Sequence, residues 1–254
     1  MRLCSTLTGA LALILTPLAF GQDDRLTITV PVLDESAAAS PIKMTGRAVF
    51  SEGTENGKAV CSYHCEIESR NVSQQRIVLL VMAEEFHCSN GLDDKRISGH
   101  EYLFERELLG PGKAITYPSH YCTSERIVGP VPSIARVPCA GVTTLYVQFQ
   151  DGTSFGDDKY AQHILQIRQG ALKVLRRLQE IYQMQGEEKF REALRRQPDP
   201  REIGEASSVE NRFIEPLRKI QREFGTAEVI RRIREKLSNA EVKLADLDAK
   251  MRER

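Results

Sequence analysis

The sequence predicts an α+β protein, an N-terminal antiparallel β-sandwich followed by a C-terminal helical bundle or coiled-coil tail. Three observations point there. From Leu26 to Phe149, apolar residues alternate or run in short β-rich blocks separated by turn residues. From Asp158 onward the apolar spacing changes to three and four, the period of a helix. Charge changes at the same point. Residues 1–158 carry 13 Lys/Arg against 19 Asp/Glu and residues 159–254 carry 22 against 16, so a neutral chain is −6 in its first part and +6 in its second.

At 254 residues, 41 % hydrophobic and 28 % charged, the composition is that of a folded protein rather than a disordered tail. The neutral total argues against a chain that is basic throughout, so no nucleic-acid partner is expected.

The chain opens with Arg2, an apolar run from Leu7 to Phe20, and the small residues Ala19 and Gly21 before Gln22. This is the pattern of a secretory signal peptide over residues 1–21. The run, about 14 residues, is shorter than the roughly 20 that a spanning helix needs. No later stretch is apolar enough to span either, so no transmembrane anchor is expected after cleavage. The expected location is extracytoplasmic, periplasmic or secreted.

Residues 22–157 form the expected β-sandwich domain. Its candidate strands are Leu26–Val32, Lys43–Ser51, Lys58–Glu68, Arg76–Glu84, His100–Leu109, Ala114–Tyr117 and Val142–Gln150. Turn signals at Glu55-Asn56-Gly57, Ser89-Asn90-Gly91, Gly110-Pro111-Gly112 and Asp151-Gly152 separate them. Gly129–Pro138 holds three prolines and must be irregular or an edge.

Residues 158–254 form the expected helical domain of about three helices. Lys159–Gln197 carries two adjacent apolar stripes, a face broad enough to touch more than one neighbour. Gly170 and Gly186 weaken this helix; Pro198 and Pro200 end it. A second helix lies within Val209–Phe224, where Pro216 forces a start or a kink and Gly225 a stop, with Thr226 as N-cap of a third. In the third, Ile230, Ile233, Leu237, Ala240, Leu244, Leu247 and Met251 follow heptad spacing between charged flanks. Such a seam serves an intramolecular bundle, or a homo-oligomer through Ile230, Ile233, Leu237, Leu244 and Leu247.

Asn71-Val72-Ser73, Leu109-Gly110-Pro111-Gly112 and Val147-Gln148-Phe149-Gln150-Asp151-Gly152-Thr153 flank apolar strands. Residues 40–156 thereby resemble an immunoglobulin or fibronectin-III-like domain of secreted bacterial proteins. The resemblance implies adhesion, spacing or binding rather than a particular chemistry.

Export makes structural disulfides the expected state of Cys61, Cys65, Cys88, Cys122 and Cys139. Cys61 and Cys65 share one face of a strand about 13 Å apart, beyond the ~7 Å reach of a bridge. The expected pairs are Cys88 with Cys122, and Cys139 with Cys61 or Cys65, the remaining thiol being buried. His64, His87, His100 and His120 fall in the same interval. Cys61, His64, Cys65, His87, Cys88, His120 and Cys122 are therefore the candidate metal ligands. Alternation opposes a shared ion, since His64 points away from Cys61 and Cys65. No metal or cofactor is expected.

A Cys–His nucleophile at His87-Cys88 is disfavoured because neighbours on a strand project oppositely. There is no His-Glu-x-x-His and no phosphate-binding glycine loop. The carboxylates of Phe149–Asp158 read as a turn in which Asp157 or Asp158 caps the first helix. The arginine pairs of the tail read as a solvated helix face. The expected function is an exported, non-enzymatic binding or structural module whose partner is an unknown protein or a cell-surface ligand. Its rival is an extracytoplasmic metal-binding protein or hydrolase using the interval from Cys61 to Cys122.

Overall fold

A computed structural model describes residues 25–117, 126–130, 136–199 and 206–252. The expected leader over residues 1–21 and the candidates His120 and Cys122 lie outside these residues. The fold is α+β, a curled mixed sheet followed by helices. The strands are β1 (Leu26–Asp34), β2 (Ile42–Glu55), β3 (Lys58–Asn71), β4 (Ile77–His87), β5 (Asp93–Glu101), β6 (Ala114–Tyr117), β7 (Arg126–Pro130), β8 (Cys139–Phe149) and β9 (Ser154–Gly156). They lie in the order β5-β4-β8-β1-β2-β3-β6, with β7 also on β3 and β9 on β8.

The sheet is mixed where an antiparallel one was expected. Leu26–Pro31 of β1 run antiparallel to β2, and Val32–Asp34 then run parallel to Ala140–Val142 of β8. One strand thus serves two neighbours, and about it the sheet curls over on itself. Tyr63 of β3 stacks on Phe86 of β4 with ring centroids 4.0 Å apart, although β8, β1 and β2 separate these strands along the sheet. Between the two arms lies one core, including Ile42, Phe50, Tyr63, Ile67, Leu80, Met82 and Phe86.

The expected strand His100–Leu109 is not formed. β5 ends at Glu101, and Tyr102, Leu103 and Phe104 turn inward, buried. Their carbonyls find a side chain instead of a neighbouring strand: Lys243 Nζ donates to Tyr102 O at 3.0 Å and Leu103 O at 3.3 Å, and also to Glu105 O. Buried carbonyls need such a partner when no ladder supplies one. The proline-rich stretch contributes β7 on an outer side of β3, ending at Pro130, which agrees with an edge.

The helices are α1 (Lys159–Arg195), α2 (Ala206–Val209), a π-helical turn (Glu210–Ile214), α3 (Glu215–Phe224) and α4 (Thr226–Arg252). Asp157 accepts the Lys159 N–H at 3.0 Å, the expected cap of α1. Gly186 breaks α1 with φ 83° and ψ −177°, a conformation that side chains resist. Pro216 sits in the first turn of α3. It has no N–H to return to Arg212, and the π-helical turn lies where that bond is missing.

A second core joins the helices to the outer face of the sheet. Val78, Leu79 and Val81 of β4 meet Ile164, Ile167, Leu172, Leu175 and the apolar seam of α4. Ile230, Ile233, Leu237 and Leu247 are buried there and Leu244 packs against the same cluster. Self-association through this seam would therefore have to displace contacts within the chain. Polar bonds cross the same junction. Arg168 Nε donates to Glu101 at 2.7 Å and its Nη2 to Gln148 at 3.0 Å, while Gln150 reaches Asp246 of α4 at 2.5 Å. The acidic and basic parts of the chain meet here.

Leu79→Ala and Leu80→Ala empty different cores, and each is expected to destabilise the protein by about 2–5 kcal/mol. Val242→Ala on the exposed face of α4 is expected to change it by less than about 0.5 kcal/mol. Urea denaturation checks all three. Arg168→Ala strands the buried Glu101 carboxylate, with an expected loss of about 3–5 kcal/mol; the joint change to Arg168→Met and Glu101→Leu should recover most of it.

Candidate functional site

The β2–β3 hairpin sets the geometry of the site. Asn56 and Gly57 turn with φ of 51° and 73°, the left-handed conformations of a two-residue hairpin turn. Counting back from Glu55 opposite Lys58, the register places Glu52 directly opposite Cys61. Both side chains point into the inner core. The curl brings Cys88, just beyond β4, to the same place, and Cys61 and Cys88 form a disulfide with Cα atoms 6.5 Å apart. The expected partners differ from this one: Cys88 is not joined to Cys122, and Cys61 is not joined to Cys139. The reason is the folding of the β3 arm across the end of β4, which strand alternation alone does not reveal. Cys65 is also disulfide-bonded. Cys139 opens β8, half-buried, in register with His87.

Glu52 is the residue that the sequence reading missed. It is only 5 % exposed. It accepts the Ser89 backbone N–H at 2.6 Å and the Ser89 hydroxyl, and its Oε1 lies 3.9 Å from Cys61 Sγ. Glu52, Cys61 and Cys88 offer three ligand atoms within 4.8 Å of one another, all from buried residues. The histidines do not join them. His64, opposite Val49, lies on the other face of β3 from Cys61 and Cys65. His87 Nδ1 contacts Asp93 at 3.0 Å, with Glu85 at 4.0 Å from its other nitrogen. The candidate set therefore separates into inward sulfurs, Cys61, Cys65 and Cys88, and the histidines His64 and His87 on other faces.

A second polar group lines the inner side of β5. Arg96 Nε donates to Asp94 at 2.9 Å, its guanidinium lies 5.2 Å from the Tyr63 ring centroid, and the Tyr63 hydroxyl also donates to Asp94. Ser98 Oγ donates to Glu84 at 2.7 Å. Burial pushes the Glu84 carboxyl above its usual range, against the pull of Ser98 and Arg96. Burial also pushes Asp94 up, but the Tyr63 hydroxyl and Arg96 outweigh it and hold that carboxyl below its usual range. Two neighbouring carboxyls with separated proton affinities can divide acid and base roles. Here their bonds fasten the β5 edge to Tyr63 and β4. His100, next on that row, lies 4.3 Å from Tyr102 and 5.5 Å from Tyr117 between ring centroids, and burial pulls its proton affinity down.

The third feature is a groove of about 640 Å³ at the α1 kink. Lys173, Arg177, Lys189, Arg195 and Arg196 line it with Ile181, against the carboxylates of Glu192 and Asp199.

Removing the bridge with Cys61→Ala and Cys88→Ala is expected to cost about 2–5 kcal/mol in urea denaturation. Glu84 gives a pH signature. Because its folded proton affinity is raised, its contribution to folding is complete below the unfolded glutamate value and is lost as pH rises through the folded one. Glu84→Gln should therefore match the wild type in acid and exceed it in stability at neutral pH, as urea midpoints measured from about pH 4 to 8 would show.

Comparison with protein-family models, with curated proteins and with solved structures finds no match to this chain.

Proposed function

We propose that the protein is an exported, non-enzymatic binding module. In this reading the curled sheet serves as an immunoglobulin-like β-sandwich stapled by disulfides, and the helices form a bundle that presents the contact surface. The observation that carries it is the groove at the α1 kink, which the described residues line with five cationic side chains against two carboxylates around about 640 Å³. Such a surface favours an anionic partner through its local field. The helices that frame it are tied to the sheet by the Arg168–Glu101 pair and the second core, so the groove is held by the whole fold. The Cys61–Cys88 bridge accords with an oxidising compartment.

A labelled polyglutamate peptide, followed by fluorescence anisotropy, tests the groove. Binding that weakens with added salt, and at least about fivefold in Arg195→Glu/Arg196→Glu, is expected. Absence of binding, or binding indifferent to both changes, would overturn the groove as the contact surface. Robust turnover in a broad hydrolase screen would overturn the non-enzymatic reading.

A further inference from the structure

In a disulfide neither sulfur carries a proton that a neighbouring carboxylate could accept. Glu52 nevertheless stays almost wholly buried there. The Ser89 N–H and hydroxyl orient its carboxylate while leaving Oε1 3.9 Å from Cys61 Sγ. Ligating carboxylates in metal sites are positioned by the same kind of hydrogen bonds. With Cys88, the set comprises two sulfurs and one oxygen within 4.8 Å of one another. The two sulfurs are bonded to each other in this state, and the 3.9 Å between Glu52 Oε1 and Cys61 Sγ is of the order that suits ligands sharing one ion at roughly 2.0–2.3 Å each.

We propose that reduction of Cys61–Cys88 opens a Cys2Glu site for a thiophilic divalent cation, of which Zn2+ is the representative. A dithiol supplies the two electrons. It becomes a cyclic disulfide, the Cys61–Cys88 bond breaks, and each cysteine takes up one proton. Binding of the cation then releases those two protons as both sulfurs ligate as thiolates and Glu52 supplies the third ligand. The fourth position of a tetrahedral ion is left for water or the neighbouring Ser89 hydroxyl. This inference is independent of the groove at the α1 kink, since no residue is shared between the two places.

The test compares oxidised protein with protein reduced by a dithiol, desalted without air, and titrated with Co2+ and then Zn2+. The reduced form is expected to bind one equivalent with thiolate-to-cobalt absorption, to exchange it for Zn2+, and to protect Cys61 and Cys88 from alkylation mapped by mass spectrometry. The oxidised form should show none of this. Glu52→Gln should weaken binding at least about tenfold, whereas Cys65→Ser and Cys139→Ser should leave it intact. Alkylation mapping needs no substitution, so it decides the matter even if a variant fails to fold. Free alkylation of Cys61 and Cys88 in the presence of saturating Zn2+ would overturn the proposal. So would cobalt absorption unchanged by Glu52→Gln.

Discussion

Strand β4 has no solvent face along most of its length, and the remaining structure follows from covering both of its sides. Leu80, Met82 and Phe86 enter the core between the arms of the curled sheet, while Val78, Leu79 and Val81 enter the core shared with the helices. Burying one such side chain contributes about 1.5–3 kcal/mol, so leaving either face open would expose a strip that a protein of this size can ill tolerate. A strand with one wet face would need only one partner layer. β4 needs two, and the chain supplies the β2–β3 arm on one side and α1 with α4 on the other.

Covering the inner side requires the sheet to curl, and β1 makes this possible by changing neighbours partway along its length. The Tyr63–Phe86 stack and the Cys61–Cys88 bridge then hold the arms where the hairpin register has set them. Covering the outer side requires polar groups to be matched as well as apolar ones. Arg168, Glu101 and Gln148 bond to one another, and Lys243 satisfies the carbonyls of the turn after β5. The opposite charges of the two parts of the chain thus have a partly structural outlet. Further cations of α1 line the groove.

The helical periods, the stop at Gly225, the cap at Asp157 and most strand positions were legible because each depends on a few neighbouring residues. The change of neighbours in β1 was not, since it depends on where β8 lies rather than on the residues of β1. The turn at Tyr102–Phe104 was hidden for a similar reason. These apolar residues resemble a strand until a lysine more than a hundred positions away takes their carbonyls. Alternation correctly separated His64 from Cys61 and Cys65. It could not pair Cys61 with Cys88, because that contact crosses the curl. Glu52 could have been found: Asn56-Gly57 fixes a two-residue hairpin, and counting outward from it puts Glu52 against Cys61.

Sheet and helices share β4 so closely that neither is expected to persist without the other. Thermal unfolding of the protein, followed together by near-ultraviolet tyrosine dichroism and far-ultraviolet helical dichroism, tests it directly. With Tyr160 and Tyr182 of α1 changed to Phe, the buried Tyr63, Tyr102, Tyr117 and Tyr146 report on the sheet side, and the helical band reports on α1 and α4. Coincident transitions, with calorimetric and van't Hoff enthalpies in agreement, are expected of one cooperative unit. Loss of the helical signal at a lower temperature, with the tyrosine signal intact, would contradict it.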